Sequence, residues 1–251
     1  MTKAIQHLLA DICHRESIDI LYACESGSRA WGFASSDSDY DIRFLYRRPI
    51  KDSYQIHDLP DTIEIPIKDD LDPGGWDLRK ALQLLHKSNG ALIEWLHSPI
   101  IYQKKETFHE ELKILAHSSL DRKNLANHYR GMAKRVLNID LATSEPTGKA
   151  YLYALRATLA GLHVLIHGTP PPVEFAKLLS LLPKTERKAV DQLLTWKTTA
   201  TEKATPGRLP VIDLYLSQQA EFQAQACHDL PSTPTDPAPF NTLLHRWTLW
   251  P

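Results

Sequence analysis

Segments with a strand pattern and segments with a helix pattern occupy different parts of this chain. Short apolar segments rich in β-branched residues, which are typical of strands, occur at residues 18–23, 40–46 and 62–67. From about residue 107 onward, apolar residues instead recur every three to four positions, as on one face of an amphipathic helix. This separation predicts an α+β fold, in which an N-terminal α/β unit is followed by an all-α domain.

Helical patterns are also present within the N-terminal unit. One apolar face spans residues 5–12, before the first strand segment, and a second helical pattern runs through residues 78–96. The later part of the chain contains further helical segments, at residues 125–136, 151–166, 173–182, 185–197 and 211–227. Four prolines between residues 231 and 239 then predict an irregular linker before a short apolar tail.

The composition excludes several classes of protein. Hydrophobic residues make up 43% of the 251 residues and charged residues 24%, which is typical of a folded protein rather than a disordered one. The chain has 29 basic and 30 acidic side chains, so its net charge is −1. This balance argues against a bulk polyanion binder, although it leaves room for a local basic face.

Cysteine spacing and the distribution of apolar residues predict a cytoplasmic protein without a membrane segment. Cys13, Cys24 and Cys227 lie far apart, which excludes a disulfide framework and a thiolate zinc cluster. No apolar run approaches the roughly 18 residues that span a bilayer, and the first residues lack a signal-peptide core.

The histidines show no HxH or HExxH spacing, and no Gx4GK[ST] segment is present, which disfavours a histidine-ligated metal and a Walker-type NTPase.

One polar segment carries the candidate chemistry. It reads GSRAWGFASSDSDYDI at residues 27–42, and its end runs into the strand segment that begins at Tyr40. Because residues two apart in a strand point to the same face, we expect Asp39 and Asp41 to place their carboxylates side by side. Such carboxylates repel each other unless a cation lies between them, and hard oxygen ligands of this kind suit Mg²⁺ or Mn²⁺.

Gly27 and Ser28 precede this pair and form a candidate phosphate-binding turn. A glycine lets the backbone approach a phosphate closely, and the Ser28 hydroxyl and free amides are donors for phosphate oxygens. Together with the paired aspartates, this turn supplies the parts for metal-assisted phosphoryl or nucleotidyl transfer. The alternative interpretation of the bare motif is an ordinary β-turn with a solvated acidic loop.

The motif resembles the signature of the polymerase β nucleotidyltransferase superfamily, in which Gly-Ser is followed by Asp-x-Asp on an apolar strand. The longer string GSRAWGFASSDSDYDIRF is similar to the minimal bacterial branch, which includes predicted nucleotidyltransferases named for an RNA repair pathway. Further segments resemble that family's two domains, at residues 75–82, 88–89, 94–96, 149–156 and 171–175. The resemblance covers roughly residues 18–182.

The resemblance implies a division into two domains. Residues 1–106 would form a nucleotidyltransferase catalytic domain of the polymerase β type, built on a mixed sheet. Residues 107–251 would form a helical domain that contributes to the substrate and nucleotide cleft and ends in the proline-rich linker and tail.

The resemblance also implies roles for the motif residues. The catalytic, metal-binding aspartates fall on Asp39 and Asp41, and the nucleotide-phosphate turn falls on the Gly-Ser pair. The superfamily uses a third carboxylate from a later strand, which completes one metal site and helps to activate the attacking hydroxyl. Asp72 matches that position best, with Asp77 and Glu64 as alternatives. Asp77 immediately precedes an amphipathic pattern, so it also suits the cap of the following helix.

Further candidates for nucleotide binding are basic or aromatic. Arg29 lies beside the turn, where it would contact phosphate or balance the nearby acids. Lys149, Tyr153 and Arg156 share one helical face, because they are spaced by four and seven residues. A cationic face there suits a triphosphate or an anionic acceptor, and a solvated charged stripe is the alternative.

These inferences predict a nucleotidyltransferase dependent on Mg²⁺ or Mn²⁺, which transfers a nucleoside monophosphate from an NTP, expected to be ATP, to a hydroxyl and releases pyrophosphate. The acceptor would be an RNA end, a protein hydroxyl or a small molecule. The alternative is a non-catalytic nucleotide- or RNA-binding module that retains the fold. A nucleic-acid acceptor is compatible with the net charge, because many acids concentrate around the predicted site, namely Asp37, Asp39, Asp41, Asp69, Asp70 and Asp72.

Overall fold

The computed structural model describes residues 1–35, 37–201 and 203–248, which form two compact units. The first unit comprises Met1–Ala30, Asp39–Leu120 and the chain from Pro234 onward. The second comprises Trp31–Ser38 and Asp121–Thr233. Each unit therefore draws on more than one stretch of sequence, and the predicted domain boundary after residue 106 stays a prediction.

Strands in the first unit form one mixed sheet. Within the described residues the strands are Asp19–Glu25 (β1), Tyr40–Arg47 (β2), Thr62–Glu64 (β3), Leu71–Asp77 (β4) and Ile101–Lys104 (β5). Their order in the sheet is β3-β4-β2-β1-β5. The central β2 and β4 are parallel, whereas the other neighbours are antiparallel.

Helices flank the sheet in the first unit and make up most of the second. They are, in chain order, Thr2–Glu16 (α1), Gly27–Trp31 (α2), Leu78–His86 (α3), Gly90–Leu96 (α4), Glu106–Ser118 (α5), Arg122–Ile139 (α6), Gly148–His167 (α7), Phe175–Leu178 (α8), Lys184–Lys197 (α9), Pro210–Asp229 (α10) and Ala238–Thr248 (α11), with 3₁₀ turns at Ile50–Tyr54 and Leu179–Leu181. The predicted α+β fold, with an N-terminal mixed sheet and a helical later part, is confirmed. Among the described residues, no helix combines the length and apolar character needed to cross a bilayer.

The apolar face of α1 covers one side of the sheet. Ile5, Leu9 and Ile12 are fully buried against side chains that alternate along β2, including Ile42 and Phe44. This packing leaves the other side of β2, which carries the acidic motif, available for a site.

Strand β4 was not predicted from its sequence, Leu-Asp-Pro-Gly-Gly-Trp-Asp. Proline and glycine are depleted in strands, so local propensity argues against one here. The strand forms because it pairs along its length with β2 and at its second edge with β3. A glycine is needed at Gly75, because a Cβ there would lie 2.1 Å from the ring of Phe44.

A tight turn connects β3 to β4 and shortens the predicted strand at residues 62–67. The structure ends β3 at Glu64. Asp69 and Asp70 follow with φ of 52° and 62°, the left-handed region that aspartate tolerates better than most residues. Backbone hydrogen bonds between Lys68 and Leu71 close this turn in both directions, at 3.2 and 3.0 Å.

The helical pattern predicted through residues 78–96 is interrupted. Helix α3 ends at His86, Ser88 adopts a φ of 52°, and Asn89 caps α4 by accepting a hydrogen bond from the Leu92 amide at 3.1 Å. Two short helices therefore replace one long one. The apolar periodicity continues across the break because both helices bury the same kind of face.

Long helices with defined ends form the core of the second unit. Thr147 caps α7 by accepting a hydrogen bond from the Ala150 amide at 3.1 Å, and Gly168 ends the helix with a φ of 69°. Helix α7 packs against α6, which is capped by Asp121 through the Asn124 amide at 2.9 Å. The helix that carries three predicted nucleotide-binding residues is thus a buried, well-capped element.

Candidate active site

Gly27 and Ser28, the candidate phosphate-binding turn, are the first residues of α2 and lie directly against the aspartate strand. Gly27 has a φ of +60°, and a Cβ there would lie 2.0 Å from Oδ2 of Asp41. The Ser26 amide donates to the Asp41 carbonyl at 2.8 Å, and Ser28 is 7% exposed. Glycine is therefore required here for two reasons, the left-handed backbone and the close approach of a carboxylate.

Glu25 contacts the same strand from the protein interior, and it was not among the site residues predicted from the sequence. Its side chain is fully buried; Oε1 accepts a hydrogen bond from the Asp41 amide at 2.8 Å, and Tyr102 donates to Oε2. Burial is the main cause that raises the pKa of Glu25, partly offset by these two hydrogen bonds. An acid at the end of an apolar strand, two residues before Gly27, was the available signal.

Asp41 and Asp72 are brought side by side by the parallel pairing of β2 and β4. They are register partners across the two strands, so their side chains project to the same face of the sheet. The Arg43 guanidinium bridges them, with Nη2 at 2.8 Å from Asp41 Oδ1 and 2.6 Å from Asp72 Oδ2. Arg43 follows Asp41 by two residues and shares its face, but it was not among the site residues predicted from the sequence.

Asp39 lies just before β2 and is tied to the turn by Arg29. The Arg29 Nε donates to the Asp39 carbonyl at 3.1 Å, and the guanidinium carbon lies 3.7 Å from the centre of the Tyr40 ring. These contacts connect Arg29 with the start of the acidic strand. Whether Arg29 also binds nucleotide stays a prediction.

The alternatives for the third carboxylate occupy different positions. Asp77 caps α3, where it accepts a hydrogen bond from the Arg79 amide at 2.8 Å, and it pairs with Tyr46 at the far end of the strands. Glu64 lies on edge strand β3 and pairs with Gly74, two residues along from Asp72. Of the three acids, Asp72 is the register partner of Asp41.

The donor set suits a divalent cation. No group of three or more histidine, cysteine or acidic side chains is arranged to hold a metal ion among residues 1–35, 37–201 and 203–248. Nevertheless Asp41 and Asp72 already share one cation, the Arg43 guanidinium, and carboxylate oxygens are the ligands that Mg²⁺ and Mn²⁺ prefer. These residues therefore fit a metal ion, provided that the Arg43 guanidinium moves away from the two carboxylates.

The predicted nucleotide-binding residues of α7 lie in one cluster within the second unit. Arg156 is 1% exposed; its Nε and Nη2 lie 3.4 and 3.3 Å from the Val173 carbonyl, and its guanidinium carbon is 4.1 Å from the centre of the Trp31 ring. Tyr153 packs edge-on against Trp31, and the Lys149 ammonium lies 5.6 Å from the centre of the Tyr153 ring. The contacts of Arg156 are those of a buried structural residue, and a nucleotide-binding role for the three residues stays a prediction.

Comparison with known proteins identifies the family. The family model of the RNA repair pathway DNA polymerase beta family (RlaP) matches residues 1–246. The chain belongs to this family. Membership in RlaP confirms the resemblance to polymerase β-type nucleotidyltransferases that the Gly-Ser and Asp-x-Asp motif predicted.

The chain is also similar to a curated bacterial protein. The uncharacterized protein YcgL of Bacillus subtilis strain 168 is 39% identical over 221 residues, which is 87% of this chain and 85% of YcgL. The similarity therefore extends over both compact units and most of the relative. The name of this relative adds no activity.

Proposed function

We propose that this RlaP chain is an active nucleotidyltransferase that depends on Mg²⁺ or Mn²⁺. It would transfer a nucleoside monophosphate from an NTP, expected to be ATP, to a hydroxyl group with release of pyrophosphate. The main support is that Gly27, Asp41 and Asp72 lie together. Gly27 approaches the Asp41 carboxylate closely, and Asp72 is the register partner of Asp41 on β4. A cytoplasmic location is part of the proposal.

The chain's own groups divide the work of this reaction. Asp39, Asp41 and Asp72 would hold the divalent ion, which when bound supplies charge stabilisation for the triphosphate. The Ser28 hydroxyl and adjacent amides would donate to phosphate oxygens and orient the nucleotide. Asp72 would accept the proton of the acceptor hydroxyl as that oxygen attacks the α-phosphorus.

Glu25 would act as a positioning residue in this reaction. It would contact neither phosphate nor acceptor, because it is buried and its carboxylate accepts a hydrogen bond from the backbone amide of Asp41. The Asp41 carboxylate thereby keeps its place beneath the turn, which is the preorganisation that such a site needs.

An RNA end is the acceptor that we favour. The support is the name of the family, which refers to RNA repair. A protein hydroxyl and a small molecule are tested by the same experiment, because each labelled product has a different size and a different sensitivity to nuclease and protease.

The experiment supplies each α-labelled NTP with Mg²⁺ and pools of cellular RNA, protein and small molecules. Wild-type protein should label one acceptor class with one preferred nucleotide, whereas Asp39→Asn and Asp41→Asn should reduce labelling more than about a hundredfold. Asp69→Asn is the matched control, because Asp69 is an exposed acid in a left-handed turn that asparagine tolerates.

Two results would contradict the proposal. Near wild-type labelling by Asp41→Asn would show that Asp41 is not part of the active site. Nucleotide binding that does not depend on metal, with no transfer to any acceptor, would instead favour the non-catalytic binding module.

A further inference from the structure

We propose that Arg43 is an internal counter-ion of the candidate metal site, which holds Asp41 and Asp72 together in the ion-free protein and competes with the divalent cation for them. The inference rests on the proposed function, since that function assigns the two carboxylates to a metal. It adds a residue whose effect on metal binding opposes that of the ligands.

The contacts of Arg43 are those of a side chain held in place. Besides the two carboxylate contacts of Nη2, its Nη1 donates to the Asp72 carbonyl at 2.5 Å and to the Ile42 carbonyl at 3.2 Å. The side chain is 21% exposed, and those of Asp41 and Asp72 are 28% and 29% exposed. The guanidinium thus makes four hydrogen bonds in a partly shielded position, two within β2 and two that cross to Asp72 on β4.

Electrostatics explains why a cation is needed at this point. The parallel register places two carboxylates next to each other, and like charges at this spacing repel more strongly where water is partly excluded. One guanidinium offsets one of the two negative charges. A divalent ion offsets both, so metal and Arg43 are alternative solutions to the same repulsion.

Competition follows from the oxygens involved. Arg43 occupies Oδ1 of Asp41 and Oδ2 of Asp72, so a metal shared by the pair would meet the positive charge of the guanidinium at the same place. Part of the metal's binding free energy would therefore be spent on displacing Arg43. Removal of the guanidinium should strengthen metal binding and weaken the ion-free fold.

Titration with Mn²⁺ in the absence of nucleotide, with free Mn²⁺ measured by electron paramagnetic resonance, tests this inference on the full chain. Arg43→Gln should bind Mn²⁺ about tenfold more tightly than wild type. Arg47→Gln is the matched control, because Arg47 lies on the same strand and forms an ion pair with Asp19 instead. Its Mn²⁺ affinity should equal that of wild type.

Thermal unfolding of the same proteins gives a second readout. Without metal, Arg43→Gln should unfold at a lower temperature than wild type, and saturating Mn²⁺ should narrow the difference. The unfolding temperature of Arg47→Gln should differ from that of wild type by an amount that Mn²⁺ does not change. Should Arg43→Gln fail to fold, Arg43→Lys replaces it, with an increase in Mn²⁺ affinity of about threefold expected because lysine cannot bridge both carboxylates in the same way.

Several results would overturn the inference: Mn²⁺ affinity in the folded Arg43 variant equal to or below that of wild type, no Mn²⁺ binding by either protein, or a stability difference that Mn²⁺ does not narrow. Failure of the proposed function looks different. Tighter Mn²⁺ binding by Arg43→Gln without nucleotide transfer by wild type would retain the counter-ion and reject the transferase.

Discussion

At the scale of single residues, the candidate site depends on close approach between backbone and carboxylate. Gly27 has no side chain because Asp41 fills the space that one would need, and Glu25 fixes the Asp41 amide from the interior. The sequence predicts roles for Asp39 and Asp41, since both lie within one short motif. It does not predict the contacts of Glu25 with Asp41 or of Arg43 with Asp72, because these contacts form only when separate strands meet.

Gly27→Ala should separate close approach from backbone strain. Alanine at a φ of +60° costs roughly 1–2 kcal/mol, and its Cβ would also displace the Asp41 carboxylate. We expect lower stability in urea unfolding and loss of nucleotide transfer. Gly32→Ala is the matched control, because Gly32 has a φ of +86° and no heavy atom beyond its own chain neighbours lies within 4 Å of the added Cβ. Equal loss of transfer in both variants would contradict the account.

At the scale of elements, β4 carries two acids with different expected tasks. Asp72 faces Asp41 across the parallel pair, whereas Asp77 caps α3. From the sequence, Asp72 matched the family position best and Asp77 also suited a helix cap, but no local pattern contained the register that pairs Asp72 with Asp41. Propensity fails for β4 for the same reason, since its partners rather than its residues make it a strand.

Asp72→Asn and Asp77→Asn should therefore have different effects on nucleotide transfer. Asp72→Asn should abolish transfer and leave the free energy of unfolding close to that of wild type. Asparagine is a good cap, so Asp77→Asn should retain both, whereas Asp77→Ala should lose about 1 kcal/mol of stability with transfer retained. Transfer assays combined with urea unfolding check these outcomes; loss of transfer in Asp77→Ala with intact Asp72 would reverse the assignment.

Helix α5 contributes a pH dependence through His109. This side chain is 6% exposed, its Nε2 lies 3.0 Å from the Leu96 carbonyl, and its ring stacks on Tyr22. Burial lowers the pKa of His109, so the unfolded chain binds the proton more readily than the folded one. His109 should therefore make its full contribution to stability at pH values above its pKa in the unfolded chain. This contribution should fall as the pH drops below about 6.5.

This contribution is tested by measuring the free energy of unfolding over an experimental range from about pH 7.5 to about pH 5. His109→Gln should lose stability less steeply with acid than wild type, although some slope remains because burial also lowers the pKa of His97 and His163. The exposed His7→Gln should retain the wild-type slope. An unchanged slope in His109→Gln would exclude the assignment.

At the scale of the whole molecule, the two compact units do not follow the order of the chain. Residues 31–38 lie between the Gly-Ser turn and the aspartate strand, yet they belong to the unit formed by residues 121–233. The tail returns to the first unit, where the Arg47 guanidinium donates to the Trp247 carbonyl at 2.8 Å. Periodicity predicts the class of each segment, but unit membership depends on long-range packing that no local pattern contains.

The central claim is that Asp39, Asp41 and Asp72 perform metal-dependent nucleotidyl transfer. Its most direct test is the rate of pyrophosphate release from ATP by wild type, Asp41→Asn and the control Asp69→Asn, measured with Mg²⁺ and a pool of cellular RNA. We predict release by wild type and Asp69→Asn, a loss of more than about a hundredfold in Asp41→Asn, and none in any protein once EDTA removes the metal. Equal release by Asp41→Asn and wild type, or release that persists in EDTA, would contradict the claim.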